Sequence, residues 1–358
     1  MEIPRHVVFG PNAVEKIPDI LKAISSRRRK NKILVLSGTT ITNHIVEEKI
    51  LPVLDNSKIV VVRYMISEKP ITYKTILNLL SVIRKNKINL VLGVGGGRII
   101  DAGKLSASLS SINFISIPTN PSNDGIASPA VSYLLRQEMK KAKRKYNLHA
   151  PIAVIADTKI ISQAPPIAIA SGCGDMLAKF VAIRDWRLAY RLKGEDYSEY
   201  AASMALMSAK LVLEKVSIIK QGFEEGIRVL VKALIGSGVS MSIAGSSRPA
   251  SGSEHLFSHA LDLLSRKYGF KPAYHGLQTG LGAIMMMWLH GGDWEKIRDA
   301  LKIAGAATNA YELGIEPKYI IEALTLAHRI RPERYTILGH RGLTRSAAER
   351  MAKETGVI

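Results

Sequence analysis

The chain is poor in cysteine and in long hydrophobic runs. One cysteine, Cys173, among 358 residues cannot form an intramolecular disulfide, which excludes a disulfide-stapled secreted scaffold and favours a reducing compartment. No run reaches the ~18 uncharged apolar residues of a membrane-spanning helix, and the most apolar run, Gly280–Leu289, is too short. The first ten residues carry Glu2, Arg5 and His6 and no apolar core of a signal peptide. We therefore expect a cytoplasmic protein without a membrane span.

Acidic and aromatic residues are also scarce. The 50 Lys and Arg exceed the 30 Asp and Glu, which gives a net charge of +20. Residues 1–150 hold 24 basic and 10 acidic residues, so most of the excess lies in the N-terminal half. Such a charge fits a solvated surface, nucleic acid, or a small anion such as a phosphorylated substrate or a dinucleotide. Because aromatic residues make up only 6% of the chain, base stacking along the basic run 136–145 is poorly supported. A basic nucleic-acid-binding protein is kept as the alternative from a different functional class.

The two halves of the chain differ in hydrophobic pattern. The apolar fraction of 47% can form a large core, and the length suggests two domains. In the first half, apolar β-branched runs alternate with segments of helical period, which predicts a Rossmann-like parallel sheet with helices on both faces. The strands are predicted at Lys32–Ser37, Lys58–Arg63, Asn89–Gly93, Asn113–Ile117 and Pro151–Asp157, and the helices at Thr39–Leu54 and Thr72–Lys85.

From about Pro165 onward, Ala-, Leu- and Met-rich segments separated by Gly, Pro and polar turns predict helices only. These segments are Gly172–Leu192, Ser198–Lys215, Gly222–Ser240, Ser253–Arg266, Leu277–Leu289, Trp294–Ala310, Pro317–Arg329 and Thr344–Thr355. The predicted fold is therefore α/β plus all-α, with a nucleotide-binding domain over residues 1–160 and a helical domain over residues 161–358.

A glycine-rich segment, Gly93–Gly97, follows a predicted strand and precedes a predicted helix. It contains four glycines in five positions. Glycines allow the backbone to approach a pyrophosphate, and a helix N-terminus offers N–H groups with a partial positive charge. Many strand-to-helix turns need glycine for steric reasons alone. Four glycines in this context nevertheless favour nucleotide binding.

A polar segment, Ile117–Pro129, follows the next predicted strand. It contains two Ser, one Thr, two Asn and one Asp, and it lies where α/β sheets bind ligands, outside the carboxyl end of a strand. A solvated turn held by Asn, Asp and Ser hydrogen bonds explains the same composition. The segment alone leaves both interpretations open.

Histidines cluster in the helical half. His255 and His259 are four residues apart on one predicted helical face, and His275 follows, so that three of nine histidines fall within 21 residues. Together with Asp175, they provide the carboxylate and imidazole donors of a catalytic divalent-metal site. Cys173 is a further candidate ligand, although a small buried residue explains it better.

The order of these motifs resembles the dehydroquinate synthase and iron-containing alcohol dehydrogenase superfamily. The resemblance extends from His6–Gly10 to at least Arg331. Its motifs are the glycine loop with Asp101 and Lys104, Pro118-Thr119 with Asp124-Gly125, Gly174-Asp175 with Ala178-Lys179, Glu254-His255 with His259, and His275-Gly276 with Gln278 and Gly280.

The resemblance implies a site in the cleft between a Rossmann-like domain and a helical domain, with NAD or NADP on the first and one zinc ion on the second. It implies metal ligation by Asp175, His255 and His275, and substrate contact and catalysis by Asp124, Asp175 and His259. The residues that it implies for cofactor binding are Gly97, Arg98, Ile99, Ile100, Asp101, Thr119, Asn120, Pro121, Ser122 and Ser128.

Within the superfamily, the most similar branch reduces dihydroxyacetone phosphate to sn-glycerol 1-phosphate for archaeal lipid synthesis. The resemblance thus implies an oxidoreductase that acts on a small phosphorylated substrate, as a homo-oligomer.

No acidic residue ends the first predicted strand to bind the adenosine ribose, which is compatible with NADP as well as NAD. A glycerol or other polyol dehydrogenase of the same fold is the nearest alternative. A lyase of the dehydroquinate synthase type is disfavoured, because the chain lacks that group's lysine-rich substrate motif. The resemblance does not explain the basic segment 134–149.

Overall fold

The computed structural model describes residues 3–24, 32–55 and 59–358. Its six strands form one sheet in which every neighbouring pair is parallel, in the order β1-β6-β5-β4-β2-β3. The strands are β1 His6–Gly10, β2 Lys32–Gly38, β3 Val60–Ile66, β4 Leu90–Gly95, β5 Asn113–Pro118 and β6 Ala153–Asp157. The predicted parallel sheet is thus confirmed.

One strand, β1, was not predicted. This strand is short, lies at the edge of the sheet and is only partly buried, so its sequence lacks the continuous apolar run of the central strands. It pairs with β6 in the register His6 to Ala153. The predicted strand at Lys58–Arg63 begins at Val60 and continues to Ile66, and its first residue, Lys58, lies outside the described residues.

Both faces of the sheet are covered by helices. Along β2, Ile33 and Val35 pack on one side and Leu34 and Leu36 on the other, and all four side chains are buried. A strand buried on both faces needs the continuous apolar run that Lys32–Ser37 shows. The helices of this half are α1 Ile17–Ile24, α2 Ile41–Ile45, α3 Leu51–Asp55, α4 Tyr73–Asn86, α5 Gly97–Leu109, α6 Tyr133–Lys141 and α7 Thr158–Ile161.

The second half is helical, as predicted. The predicted segment Gly172–Leu192 is divided between two helices that meet at Ala178, and the segment Trp294–Ala310 ends at Ala304, where Gly305 adopts a φ of 75°. The helices are α8 Pro166–Leu177, α9 Lys179–Lys193, α10 Glu199–Lys220, α11 Glu224–Ala244, α12 Ser253–Tyr268, α13 His275–Leu289, α14 Trp294–Ala304, α15 Ala310–Leu313, α16 Pro317–Leu326 and α17 Arg345–Glu354.

The chain divides into two compact units. One comprises residues 1–121 and 125–164, and the other comprises residues 122–124 and 165–358. The short segment Ser122–Asp124 therefore belongs with the helical unit, although it follows a strand of the sheet in sequence. This assignment groups Asp124 with the histidine cluster.

Two helical stretches are long and apolar enough to span a bilayer by length and composition alone. They are Pro166–Lys193 and Glu224–Ala244, and 83% and 61% of their most apolar windows are buried within the protein. Core helices of globular proteins meet the same criterion. Two of the charged residues in the first stretch, Asp175 and Lys179, are themselves fully buried.

Candidate functional site

Two helices of the helical unit, α8 and α13, approach to backbone contact. A Cβ atom at Gly174 would lie 2.1 Å from the carbonyl oxygen of Gly276, and one at Gly276 would lie 1.8 Å from the carbonyl oxygen of Ser171. Only glycine permits this approach. The residues that follow and precede these glycines, Asp175 and His275, are thereby brought together.

Asp175, His255 and His275 form a cluster with the donor set of a metal site. One ligand atom from each residue can be chosen so that all three lie within 4.8 Å of one another. His255 Nε2 is 3.7 Å from Asp175 Oδ1, and the rings of His255 and His275 are 4.9 Å apart. One carboxylate and two imidazoles suit zinc and leave coordination positions open for substrate.

Each of the two histidines of this cluster has a polar partner at Nδ1, the kind of contact that usually orients metal-ligating histidines. His255 Nδ1 is 2.7 Å from Glu254 Oε1, and His275 Nδ1 is 3.3 Å from Ser258 Oγ. These contacts leave Nε2 of each ring for a metal ion. Burial lowers the pKa of His255, and the nearby charges of His275 and Lys179 lower it further, so the ring is neutral and can ligate.

A buried ion-pair network adjoins the cluster. Lys179 Nζ lies 2.9 Å from Asp175 Oδ1 and 2.9 Å from Asp124 Oδ2, and Ser237 Oγ donates to the same Asp124 oxygen at 2.7 Å. Burial alone would lower the pKa of Lys179, but the two carboxylates outweigh it and the pKa is raised. Lys179 therefore stays charged and compensates the two carboxylates. Ser237 was not among the predicted site residues, because nothing in its local sequence indicates a contact 113 residues away.

His259 is buried beside the histidine cluster, with its ring 6.0 Å from that of His255 and 5.9 Å from that of His275. Its Nδ1 is 4.0 Å from Asp262 Oδ2, and Gln278 Nε2 donates to Asp262 Oδ1 at 3.0 Å. Asp262 is thus an acidic neighbour of His259, and Gln278 holds the carboxylate of Asp262. The spacing of three between His259 and Asp262 on a predicted helix was a signal that could have identified Asp262.

We predict that Asp262 makes the stability of the protein depend on pH. Burial raises the pKa of Asp262 to about 7, although Arg266 lowers it in part. A carboxyl whose pKa is higher in the folded state stabilises the protein when protonated, and this contribution is lost as the pH rises through the folded pKa. Asp262→Asn should therefore flatten the fall in unfolding free energy between about pH 4 and pH 7.

Urea unfolding at a series of pH values, with the exposed Asp299→Asn as matched control, measures this effect. Asp299 lies on the surface beside Arg298, so its variant should keep the wild-type pH dependence. An unchanged slope in Asp262→Asn would contradict the assignment.

Cys173 is not part of the cluster of Asp175, His255 and His275. It is fully buried, and burial raises the pKa of its thiol to about 12. The sulfur therefore stays protonated, which is the less favourable form for metal ligation. Cys173 acts as a small apolar residue in the helix α8.

In the first unit, the glycine loop leads into the N-terminus of α5. Gly96 caps this helix in an extended conformation, and a Cβ there would lie 2.5 Å from Asn120 Nδ2. Asn120 Oδ1 is buried and has no hydrogen-bond partner among the residues that the structure describes. An acceptor left unpaired beside a helix N-terminus fits a bound ligand with N–H or O–H groups, as a dinucleotide has.

The residues expected to bind the cofactor differ in their contacts. The N–H groups of Ile99 and Ile100 donate to the carbonyl oxygen of Gly96, and the carboxylate of Asp101 accepts from the Ser132 N–H at 2.8 Å. Arg98 donates to a carbonyl oxygen at 3.1 Å. Five further residues of this set lie in the first unit, namely Gly97, Thr119, Asn120, Pro121 and Ser128. Ser122 belongs to the second unit, and its carbonyl oxygen accepts a hydrogen bond from Ser171 Oγ.

The basic segment 134–149 forms most of α6 and the chain that follows it. Leu135 and Met139 are buried in the core, and Tyr146 and Leu148 pack against it. Arg136 donates to the carbonyl oxygen of Val131 at 3.2 Å. One of the basic residues of the segment therefore stabilises the local backbone. The segment is thus an amphipathic element of the sheet domain with lysines on its exposed face.

Known proteins resemble this chain in sequence and in fold. A family model for iron-containing alcohol dehydrogenases matches residues 8–165. A protein of Pyrococcus horikoshii named glycerol-1-phosphate dehydrogenase, NAD(P)+, is 51% identical over 100% of this chain and 99% of its own. Its namesake from Pyrococcus abyssi is 50% identical over the same shares. The solved structure of a probable glycerol dehydrogenase from Sinorhizobium meliloti has a TM-score of 0.77 at 17% identity and covers 99% of this chain and 98% of that one.

These matches place the fold in the class of iron-containing alcohol dehydrogenases, which confirms the resemblance inferred from the motifs. Within that class, the sequence identity of about 50% along the full chain shows which family the chain belongs to. The chain belongs to the glycerol-1-phosphate dehydrogenase family.

Proposed function

We propose that this protein catalyses the reversible NAD(P)H-dependent reduction of dihydroxyacetone phosphate to sn-glycerol 1-phosphate, the glycerophosphate backbone of archaeal membrane lipids. One observation carries the proposal. A cluster of one carboxylate and two imidazoles within 4.8 Å occurs in a chain that is 51% identical, along its full length, to a protein named for this activity.

The proposed metal ligands are Asp175, His255 and His275, and the proposed metal is one zinc ion per chain. When bound, zinc supplies a Lewis acid for the C2 carbonyl of the substrate, and NADH or NADPH supplies the hydride. Glu254 and Ser258 contact Nδ1 of the two imidazoles, so Nε2 of each ring would be the nitrogen that holds the metal. Lys179 keeps the carboxylate of Asp175 in place through its 2.9 Å contact.

The proposed proton donor is His259. Nδ1 of His259 lies 4.0 Å from Asp262 Oδ2, and Nε2 is the nitrogen proposed to serve the substrate oxygen. A histidine in this position can deliver the proton that the alkoxide of the product requires. Asp124, fixed by Lys179 and Ser237, is proposed to bind a hydroxyl group of the substrate.

The proposed cofactor contacts are those implied by the family. Gly97 to Asp101 at the start of α5 and Thr119 to Ser122 would bind the dinucleotide, with Ser128 near it. The partial positive charge of a helix N-terminus favours the pyrophosphate. We propose that both NAD and NADP are accepted, and that the protein acts in the cytoplasm as a homo-oligomer.

The test measures the oxidation of NADPH and NADH by the purified, zinc-loaded protein with two ketones. We expect kcat/KM for dihydroxyacetone phosphate to exceed that for dihydroxyacetone by more than ~10-fold, because a site built for a phosphate loses charged hydrogen bonds when the phosphate is missing. Metal analysis should give about one zinc per chain. A preference of the same size for unphosphorylated dihydroxyacetone would establish a polyol dehydrogenase instead.

A further inference from the structure

Asp185, on the helix α9, is a fully buried carboxylate that the proposed reaction does not use. Burying a charged group is costly unless hydrogen-bond donors compensate it. The donors around Asp185 therefore show which parts of the molecule this carboxylate holds in place.

One donor belongs to the helix that carries His255. The N–H of Ser253, the first residue of α12, donates to Asp185 Oδ2 at 2.6 Å. The N-cap residue of this helix is Gly252, which has no side chain to accept that bond. A Cβ at Gly252 would lie 2.6 Å from Asp185 Oδ2 and 2.9 Å from the Cα of Ala182, so glycine lets α9 come this close. Asp185 thus caps α12 from a neighbouring helix, two residues before His255, with the negative charge that a helix N-terminus favours.

A second donor belongs to the end of the helix that begins at His275. His290 directly follows α13, and its Nε2 is 3.0 Å from Asp185 Oδ1. Because a carboxylate oxygen only accepts, the imidazole donates this bond. The Ile337 N–H donates to the same oxygen at 2.7 Å. Asp185 therefore joins α9 to both helices that carry the imidazoles of the candidate metal site.

The same helix α9 also contacts the carboxylate of the candidate metal site. Lys179, at the start of α9, is 2.9 Å from Asp175 Oδ1, and its Nζ donates to the carbonyl oxygen of Ala250 at 3.2 Å. The helix α9 thus binds the segment 250–253 at both ends, and one of the two contacts comes from the residue that pairs with Asp175. The position of His255 relative to Asp175 therefore depends on how α9 holds the start of α12.

We propose that Asp185 is a positioning residue that sets the metal affinity of the site by fixing the first turn of α12. Groups that orient metal ligands without touching the metal typically change the affinity by 10- to 100-fold. This inference rests on the proposed function, in which Asp175, His255 and His275 hold zinc.

The experiment measures the dissociation constant of zinc for the wild type and for Asp185→Asn, by competition with a chromogenic chelator and without substrate or cofactor. Asparagine keeps the size of the side chain but replaces one acceptor oxygen by an amino group, which cannot accept from an N–H. We expect the zinc Kd to rise about 10-fold. The visible absorption spectrum of the Co²⁺-loaded variant should also differ from that of the wild type, because it reports the geometry of the ligands. With dihydroxyacetone phosphate, the loss should fall on kcat, leave KM unchanged and be recovered as the zinc concentration rises.

The matched control is a helix cap that lies outside the proposed site. Thr344 Oγ1 accepts from the Ala347 N–H at 3.2 Å and caps α17. Thr344→Ala should lower the thermal unfolding midpoint of the metal-free protein, because a cap is lost, and should leave the zinc Kd unchanged. If Asp185→Asn folds and has the zinc Kd and the cobalt spectrum of the wild type, the assignment of Asp185 is wrong.

A pair of variants at His290 decides the question if Asp185→Asn does not fold. His290→Gln keeps a side-chain N–H for Asp185 and should keep the wild-type zinc affinity. His290→Leu removes the donor and should raise the zinc Kd by about 5-fold, the effect of one hydrogen bond. Equal zinc affinity in the two variants would overturn the proposal.

Because zinc binding is measured without turnover, this inference can fail independently of the proposed function. If the wild type binds zinc but reduces neither ketone, while Asp185→Asn binds zinc more weakly, the proposed function is wrong and the role of Asp185 stands. If the wild type reduces dihydroxyacetone phosphate and Asp185→Asn has the wild-type zinc Kd, the function stands and the role of Asp185 is wrong. A wild type that binds no zinc would overturn the metal site and the role of Asp185 with it.

Discussion

Replacing Asp175 by asparagine should remove both bound metal and activity while the fold persists. Asparagine keeps the size of the side chain and can still accept the hydrogen bond from the Asp124 N–H, which is 2.8 Å long in the wild type. Asparagine lacks the negative charge that attracts a divalent cation and that pairs with Lys179. We expect kcat/KM to fall by at least about 100-fold, the upper range of losses for residues that merely support a ligand.

Two measurements check this prediction independently. Metal analysis should find about one zinc per wild-type chain and little in Asp175→Asn. Added zinc should raise the thermal unfolding midpoint of the wild type but not that of the variant, because only a folded site that binds metal is stabilised by it. The exposed Asp299→Asn should match the wild type in both. Full zinc content in Asp175→Asn would exclude Asp175 as a ligand.

Replacing Gly174 by alanine should destabilise the protein strongly. The added Cβ would lie 2.1 Å from the carbonyl oxygen of Gly276, and a backbone atom cannot rotate away as a side chain can. The helices α8 and α13 must separate, at a cost of about 3 kcal/mol or more in unfolding free energy. Because Asp175 and His275 adjoin the contact, the metal affinity should fall as well.

Urea unfolding with Cys173→Ala as the neighbouring control tests the Gly174 prediction. Cys173 is buried in the same helix, and its truncation removes only one sulfur atom, which should cost about 1 kcal/mol. An unfolding midpoint of Gly174→Ala equal to that of the wild type would show that the two backbones are not in contact.

Much of the fold could be predicted from local sequence. The continuous apolar run of β2 predicts a strand buried on both faces, and the helical period of Thr72–Lys85 predicts α4, because both patterns repeat within a single element. The edge strand β1 was missed, since a half-exposed strand of five residues has no such run. The boundary between α8 and α9 was missed because their apolar patterns are continuous across Ala178.

Residue types and motif order, together with the family resemblance that they carry, were enough to identify Asp175, His255 and His275 as a candidate donor set. Only the tertiary structure shows which helix contacts bring these residues together and which side chains bind them. Helix packing brings Gly174 against Gly276 and pairs Lys179 with Asp124, and it places Arg334 beside Ser251, which is 83 residues away in the chain. No periodicity within one helix encodes such contacts, because they depend on how separate helices pack against one another.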